Sequence, residues 1–153
     1  MEPLHVTVCR AALDDLPEIL QLQYLAYQSE AALFGSRDIP PLKQTLDEVT
    51  AEFQQGVILK AVCEGKIIGS VRAKASQETA RIGKLMVHPE YQRQGLGTRL
   101  LREIEGCFPG RRYELFTSTR SVGNIRLYER LGYRIFRREA VTDELEFVYL
   151  EKL

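Results

Sequence analysis

Between Val57 and Phe108 the apolar pattern changes period once, and this change constrains the fold more than any other feature. Val57 to Cys63 is a short apolar run. Glu64-Gly65 is a two-residue hairpin signal, and Lys66 to Ala75 pairs back. Glu78 and Thr79 lead into a third run, Ala80 to Val87. From Gly95 to Phe108 the spacing becomes helical, with Leu96, Leu100, Leu101, Ile104 and Phe108 on one stripe. A meander of antiparallel strands followed by strand–helix–strand units is a mixed α/β arrangement.

The flanks fit this frame. Leu4, Val6 and Val8 point one way in a first strand, Leu4 to Arg10. Asp14 or Asp15 caps a helix, with Asp15 and Glu18 as a capping box and Pro17 in the first turn. Leu16, Leu20 and either Gln23 or Tyr24 form its face, with Tyr27 following. Gly35 to Pro41 is expected as a loop, because Pro40-Pro41 opposes a helix. Thr45-Leu46-Asp47-Glu48 is a second capping box, opening a helix to about Gln55. Arg111 to Thr117 and Tyr133 to Arg138 read as strands around a helix from Ser121 to Leu131. Leu145, Phe147 and Tyr149 alternate in a last strand. No internal repeat or low-complexity tract interrupts the 153 residues, and the expectation is one domain, 1–153.

A chain of this length can bury roughly 68–70% of its unfolded surface without a disulfide or metal staple. Cys9, Cys63 and Cys107 are widely spaced and form no C-x-x-C pair, so neither a zinc site nor a redox motif is expected. The N-terminal residues lack a basic region and an apolar core, and no run reaches 18 apolar residues. A cytoplasmic location without membrane contact is the expectation. Formal net charge is zero, from 21 basic and 21 acidic residues, but unevenly distributed. Residues 81–138 hold 13 basic and 5 acidic side chains. Either this stretch meets an anionic partner, or the two parts of the chain neutralise each other in the fold.

The turn Gln92-Arg93-Gln94-Gly95-Leu96-Gly97-Thr98 follows a strand and opens a helix. Gly95 and Gly97 permit a sharp turn and close backbone approach. The first helical N–H groups lack intrahelical acceptors, and the helix dipole favours an anion there. A Walker A loop fails because Thr98-Arg99 follows Gly97, and a Rossmann fingerprint fails because Leu100 occupies the third glycine position. On its own the turn also reads as a ligand-free connection.

Gln92-Arg93-Gln94-Gly95-Leu96-Gly97 resembles the Q/R-x-x-G-x-G/A acyl-coenzyme A motif of the GNAT superfamily of N-acetyltransferases. Leu85-Met86-Val87-His88-Pro89 looks like that family's fourth strand and its exit. The stretch from Asn124 to Tyr133 is similar to its second signature, L-Y-x-x-x-G-F/Y. The resemblance covers nearly the whole chain, in pattern only over the first 55 residues. It implies a mixed, mostly antiparallel sheet of about seven strands flanked by about four helices. It also implies acetyl transfer from acetyl-CoA to a primary amine of a small molecule or peptide, directly in a ternary complex.

The same resemblance assigns site residues. Backbone groups of Leu85, Met86 and Val87 would pair with the pantetheine arm, although their apolar side chains equally suit a core. Backbone N–H groups across Arg93, Gln94, Gly95, Leu96, Gly97 and Thr98 would hold the pyrophosphate. Arg93 would add charge, while Arg99 and Arg102 read better as a solvated helix face. The family's pantetheine-contacting Asn is here Ser121, which also suits a helix N-cap. Asn124, one turn on, shares a face with Ser121 and Tyr128. Tyr128 resembles the general acid that protonates the departing thiolate, against the alternative of a core tyrosine. The fourth strand carries no carboxylate, so the base is open among Glu78, Glu30, Glu52, Tyr24, Tyr27 and ordered water. His5 and His88 read as structural. A non-catalytic acyl-CoA-binding module is the alternative, nucleic acid is not expected as a partner, and a homodimer is admitted. The acidic segment from Asp14 to Gln55 would suit a cationic acceptor or simply be an acidic surface.

Overall fold

The structure is a computed structural model that describes residues 5–35, 38–143 and 145–153. Its strands are β1 (Thr7–Arg10), β2 (Val57–Cys63), β3 (Lys66–Ser76), β4 (Thr79–Val87), β5 (Arg112–Ser118), β6 (Arg134–Ala140) and β7 (Glu146–Lys152). Its helices are α1 (Leu16–Ala26), α2 (Gln28–Phe34), α3 (Pro40–Lys43), α4 (Leu46–Gln55), α5 (Leu96–Gly106) and α6 (Val122–Arg130). The strands form one sheet in the order β1-β2-β3-β4-β5-β7-β6. Every neighbouring pair is antiparallel except β4–β5. The mixed, mostly antiparallel seven-stranded sheet is therefore as the sequence indicates. Leu4, assigned to the first strand, lies outside the described residues, as do positions 36 and 37 of the expected loop.

Two cores lie on the two faces of the sheet. Leu96, Leu100, Leu101 and Ile104 of α5, with Tyr128 of α6, pack on Leu59, Val71, Leu115, Val148 and Leu150. On the other face, Leu16, Ile19, Leu20 and Val49 of α1 and α4 cover Ile58, Ile67 and Met86. That second layer stops short of β5, β7 and β6. Phe116, Phe147, Tyr149 and Phe136 form a contiguous aromatic row there, with Phe116 49% exposed.

Three local expectations are corrected. The Asp15–Glu18 capping box does not form. Asp15 Oδ2 accepts from the Ala12 N–H at 2.7 Å and pairs with Lys60 at 2.8 Å, while Glu18 Oε2 accepts from the Ile67 N–H at 2.8 Å. Pro40 and Pro41 do not exclude a helix, because they occupy the first turn of the four-residue α3, where no intrahelical N–H donor is needed. The helix count rises above four because the chain breaks at Tyr27 into α1 and α2, and because α3 adds its turn. The Thr45 box does form: Glu48 N–H donates to Thr45 Oγ1 at 3.2 Å and Thr45 N–H to Glu48 Oε1 at 2.9 Å.

Candidate active site

The parallel pairing of β4 with β5 lasts three residue pairs, Thr79 with Arg112, Ala80 with Tyr113 and Arg81 with Glu114. Beyond them the strands separate, and a cleft of about 590 Å³ opens between Ile82–Val87 and Leu115–Ser118. The His88 N–H donates to Ile68 O at 2.8 Å, toward β3. Strand alternation therefore turns the backbone groups of Leu85 and Val87 toward the cleft and those of Met86, opposite Ser70, toward β3. This strand edge has no backbone partner among the described residues, although Val87 O accepts from Gln92 Nε2 at 3.4 Å. A strand edge facing a cavity is a site where an extended ligand can add hydrogen bonds.

A bulge shapes this edge. Ser70 pairs with Met86 but Arg72 with Gly83, so Lys84 and Leu85 together oppose Val71. Lys84 takes φ +51°, in the left-handed region where a non-glycine residue is uncommon. The extra residue reverses the side-chain alternation: Ile82, Leu85 and Val87 pack toward α5, and Met86 packs toward α1. Half-buried Lys84 lines the cleft. Desolvation pulls its pKa below the ordinary value, an effect that Glu52 opposes and Arg72 reinforces.

The mouth of the cleft is the start of α5. Gly95 occupies the N-cap position at φ +79°, which glycine adopts without steric cost, and no side chain caps the helix. Arg99 N–H donates to Gly95 O at 3.1 Å, leaving the N–H groups of Leu96, Gly97 and Thr98 without intrahelical acceptors. Arg93, also at positive φ (+64°), is exposed beside them and makes no ion pair among the described residues. Arg93, Gly95, Leu96, Gly97 and Thr98 all line the cleft; Gln94 is exposed in the same turn.

The opposite wall comes from α6. Tyr128 is 6% exposed, lies 6.1 Å from the Tyr133 ring and lines the cleft. Burial pushes its pKa up, and the charges of Tyr27 and Glu30 add to the shift, so its hydroxyl keeps its proton. Ser121 sits at the N-cap position but does not cap: its Oγ donates to Glu30 Oε1 at 2.6 Å. Asn124 Nδ2 donates to the same oxygen at 3.4 Å. Ser121, Asn124 and Tyr128 thus share one helix face, with Glu30 of α2 gathering the first two.

The sequence matches the acetyltransferase (GNAT) domain family over residues 54–135, a span that includes both strands of the split, α5 and α6. The chain belongs to the GNAT acetyltransferase family. Its fold is similar to the PaiA N-acetyltransferase of Thermoplasma acidophilum in complex with coenzyme A, with a TM-score of 0.80 at 18% identity over 97% of this chain and 99% of that one. It is equally similar to the ribosomal-protein-S18-alanine N-acetyltransferase of Escherichia coli, with a TM-score of 0.80 at 17% identity over 97% and 93% of the two chains. A curated relative, UPF0157 protein YqkA of Bacillus subtilis (strain 168), is 27% identical over 118 residues, 76% of this chain. The chain spans about a third (34%) of that relative's length.

Within this GNAT domain the base candidates separate. Glu78 is exposed at the paired end of β4, away from the split. Glu52 is bound by Arg72, and the Tyr24 hydroxyl donates to Gln44 O. Glu30 and half-buried Tyr27 both line the cleft; burial, with Glu30 nearby, holds the Tyr27 pKa up. His88 is structural, its Nδ1 accepting from the Glu90 N–H at 3.1 Å and its ring edge-on to Tyr91. Arg99 donates to Val6 O at 2.7 Å, and Arg102 is exposed. Lys84, Phe116 and the Glu30 junction escape a reading by motif. The one signal was the broken alternation Ile82, Leu85, Met86, Val87, which marks the bulge. Among the described residues no cluster of three His, Cys, Asp or Glu could hold a metal ion, and no helix is long and apolar enough to cross a membrane.

Proposed function

We propose that this GNAT chain transfers an acetyl group from acetyl-CoA to a primary amine, directly between the two bound substrates. The observation that carries the reading is the three-pair limit of the β4–β5 ladder, which leaves a strand edge facing a cleft that begins at an uncapped helix. The residues present fit a coenzyme A thioester. The N–H groups of Leu96, Gly97 and Thr98 would bind the pyrophosphate, with Arg93 adding charge. The edge formed by Leu85 and Val87 would pair with the pantetheine arm, Met86 contributing through its place in the strand. When bound, acetyl-CoA supplies an activated acetyl group and a thiolate leaving group.

The remaining chemistry belongs to the chain. A β4 N–H at Leu85 or Val87 polarises the carbonyl under attack by donating to its oxygen. Tyr128, protonated and aimed into the cleft, donates its proton to the departing sulfur. Glu30, on the same wall of the cleft beside α6, is the carboxylate that takes the amine's proton, directly or through water. Ser121 and Asn124 hold that carboxylate in place.

A panel of amines and peptides, assayed for coenzyme A release with acetyl-CoA, tests the reading. At least one acceptor should raise release well above hydrolysis. Tyr128→Phe should lower kcat by about 10²-fold or more, the scale of general acid catalysis, with little change in acetyl-CoA affinity. Binding without turnover of any acceptor would favour a non-catalytic acyl-CoA-binding module instead.

A further inference from the structure

A second cleft, of about 530 Å³, lies on the sheet face opposite α5 and meets the first along Ile82, Gly83, Lys84, Leu115 and Phe116. It is the place where an acceptor could reach the split without crossing the coenzyme A channel. The acidic character of residues 14–55 does not carry over to its wall. Glu52 and Glu114 are the carboxylates in its lining. Glu52 is bound by Arg72, and Glu114 is paired with Arg112 at 2.8 Å and Arg81 at 3.6 Å. Glu30, in the neighbouring cleft, is held by Ser121.

Lys84 stands differently. It lines both clefts and makes no hydrogen bond or ion pair among the described residues. Arg72, opposite Gly83 on the adjacent strand, directs its Nη atoms to Gln23, Gln44 and Glu52. Lys84 is thus a half-buried cation at the strained point of the bulge, where the strands part, with its neighbouring carboxylate already engaged. Beyond it, Phe116 and Tyr149 (ring centroids 5.4 Å apart) give an aromatic floor, with the Arg137 guanidinium 3.9 Å from the Tyr149 ring centroid.

We propose that the second cleft is the acceptor subsite, and that it takes an amine carrying a carboxylate a few bonds from its nitrogen, anchored by Lys84. The inference rests on the acetyl-transfer reading for the position of the amine, but the binding preference stands by itself. Of the two lysines in the lining, Lys74 is exposed and donates to Gln55 Oε1 at 3.1 Å. That leaves the half-buried Lys84 ammonium to match one carboxylate, and the aromatic floor matches an apolar or aromatic body. An α-amino acid has this layout. A carboxylate placed beside Lys84 would also offset the desolvation that lowers its pKa.

The test pairs α-amino acids with their decarboxylated amines, phenylalanine with phenethylamine and leucine with isopentylamine. Calorimetric binding to the coenzyme A-loaded protein and acetyl transfer from acetyl-CoA are both measured. The carboxylate-bearing member should bind about tenfold or more tightly, the scale of a hydrogen bond to a charged group. Lys84→Met should bring the ratio near one, and Lys84→Arg should keep it. Equal or better binding of the decarboxylated amines, binding of neither member in any pair, or an undiminished ratio in Lys84→Met overturns the proposal. A carboxylate preference in binding without transfer to either member supports the subsite and removes the transferase reading, so the two fail separately.

Discussion

At the scale of single residues, the Glu30 carboxylate has two separable jobs. It accepts a 2.6 Å hydrogen bond from Ser121, a buried side chain on another element, and it faces the reaction cleft. Deleting it leaves the Ser121 hydroxyl without its acceptor, a loss of about 1–3 kcal/mol. Glu30→Ala should therefore lower the urea midpoint measurably, while Glu30→Gln, which retains an acceptor oxygen, should recover most of that loss. A base behaves differently: Glu30→Gln would then cut kcat sharply while leaving stability close to the parent. Measuring both variants for midpoint and turnover separates clamp from base. Equal stability in all three proteins would refute the clamp. Ser121 illustrates why a motif alone cannot assign such a residue. Its position before α6 was readable, but its partner lies 91 residues away.

At the scale of elements, α1 shows the same limit. The helix, its Pro17 and the buried Leu16 and Leu20 were legible from spacing, because periodicity is a local property. The roles of Asp15 and Glu18 were not, because Lys60 and the Ile67 N–H compete for them across long sequence separations. Gln23 is fully buried because Arg72, Pro41 and Gln44 satisfy its amide, which no helix pattern encodes. The Asp15–Lys60 pair fastens the entry of α1 to β2 and yields a signed prediction. The Lys60 hydrogen bond, then the Ala12 N–H, hold the Asp15 pKa below its ordinary 3.8. A depressed carboxylate pKa stabilises the fold above the unfolded value, and that contribution disappears as pH falls through the folded value. Asp15→Asn should cost about 0.2–1 kcal/mol at pH 7, as for partly exposed pairs. The difference from the parent should shrink as pH falls below 3.8 and on through the folded value, judged by urea midpoints at pH 7 and in acid. A cost that is the same at both would mean that the carboxylate's charge contributes nothing.

At the scale of the whole molecule, the uneven charge resolves into two populations. Arg81, Arg112, Arg134 and Arg138, four of the thirteen basic residues of 81–138, pair with Glu114, Glu151 and Glu146, so part of the basic stretch is neutralised on the sheet, partly by the last strand. Arg93 and Arg130 line the first cleft without such partners among the described residues. The sheet itself is two parts joined by a three-pair parallel ladder, with the Glu30 junction linking α2 to α6 beside the split. A ligand that pairs with the β4 edge and binds the start of α5 would add contacts where the sheet is weakest. Coenzyme A at about 100 times its Kd would stabilise the folded state by about 2.7 kcal/mol. For a domain of this size, that raises Tm by roughly 5–10 °C. The location matters more than the magnitude. Amide exchange should slow at Leu85, Val87 and 96–98, where open donors gain acceptors, and remain unchanged at Met86, which already faces β3, and at the closed β2–β3 hairpin. Protection confined to 96–98 would mean that only the phosphates are held and that the β4 edge does not bind the arm. Protection at both sites, lost from 96–98 in Gly95→Val but retained at Leu85 and Val87, would establish the strand edge and the helix start as separate contacts along one extended ligand.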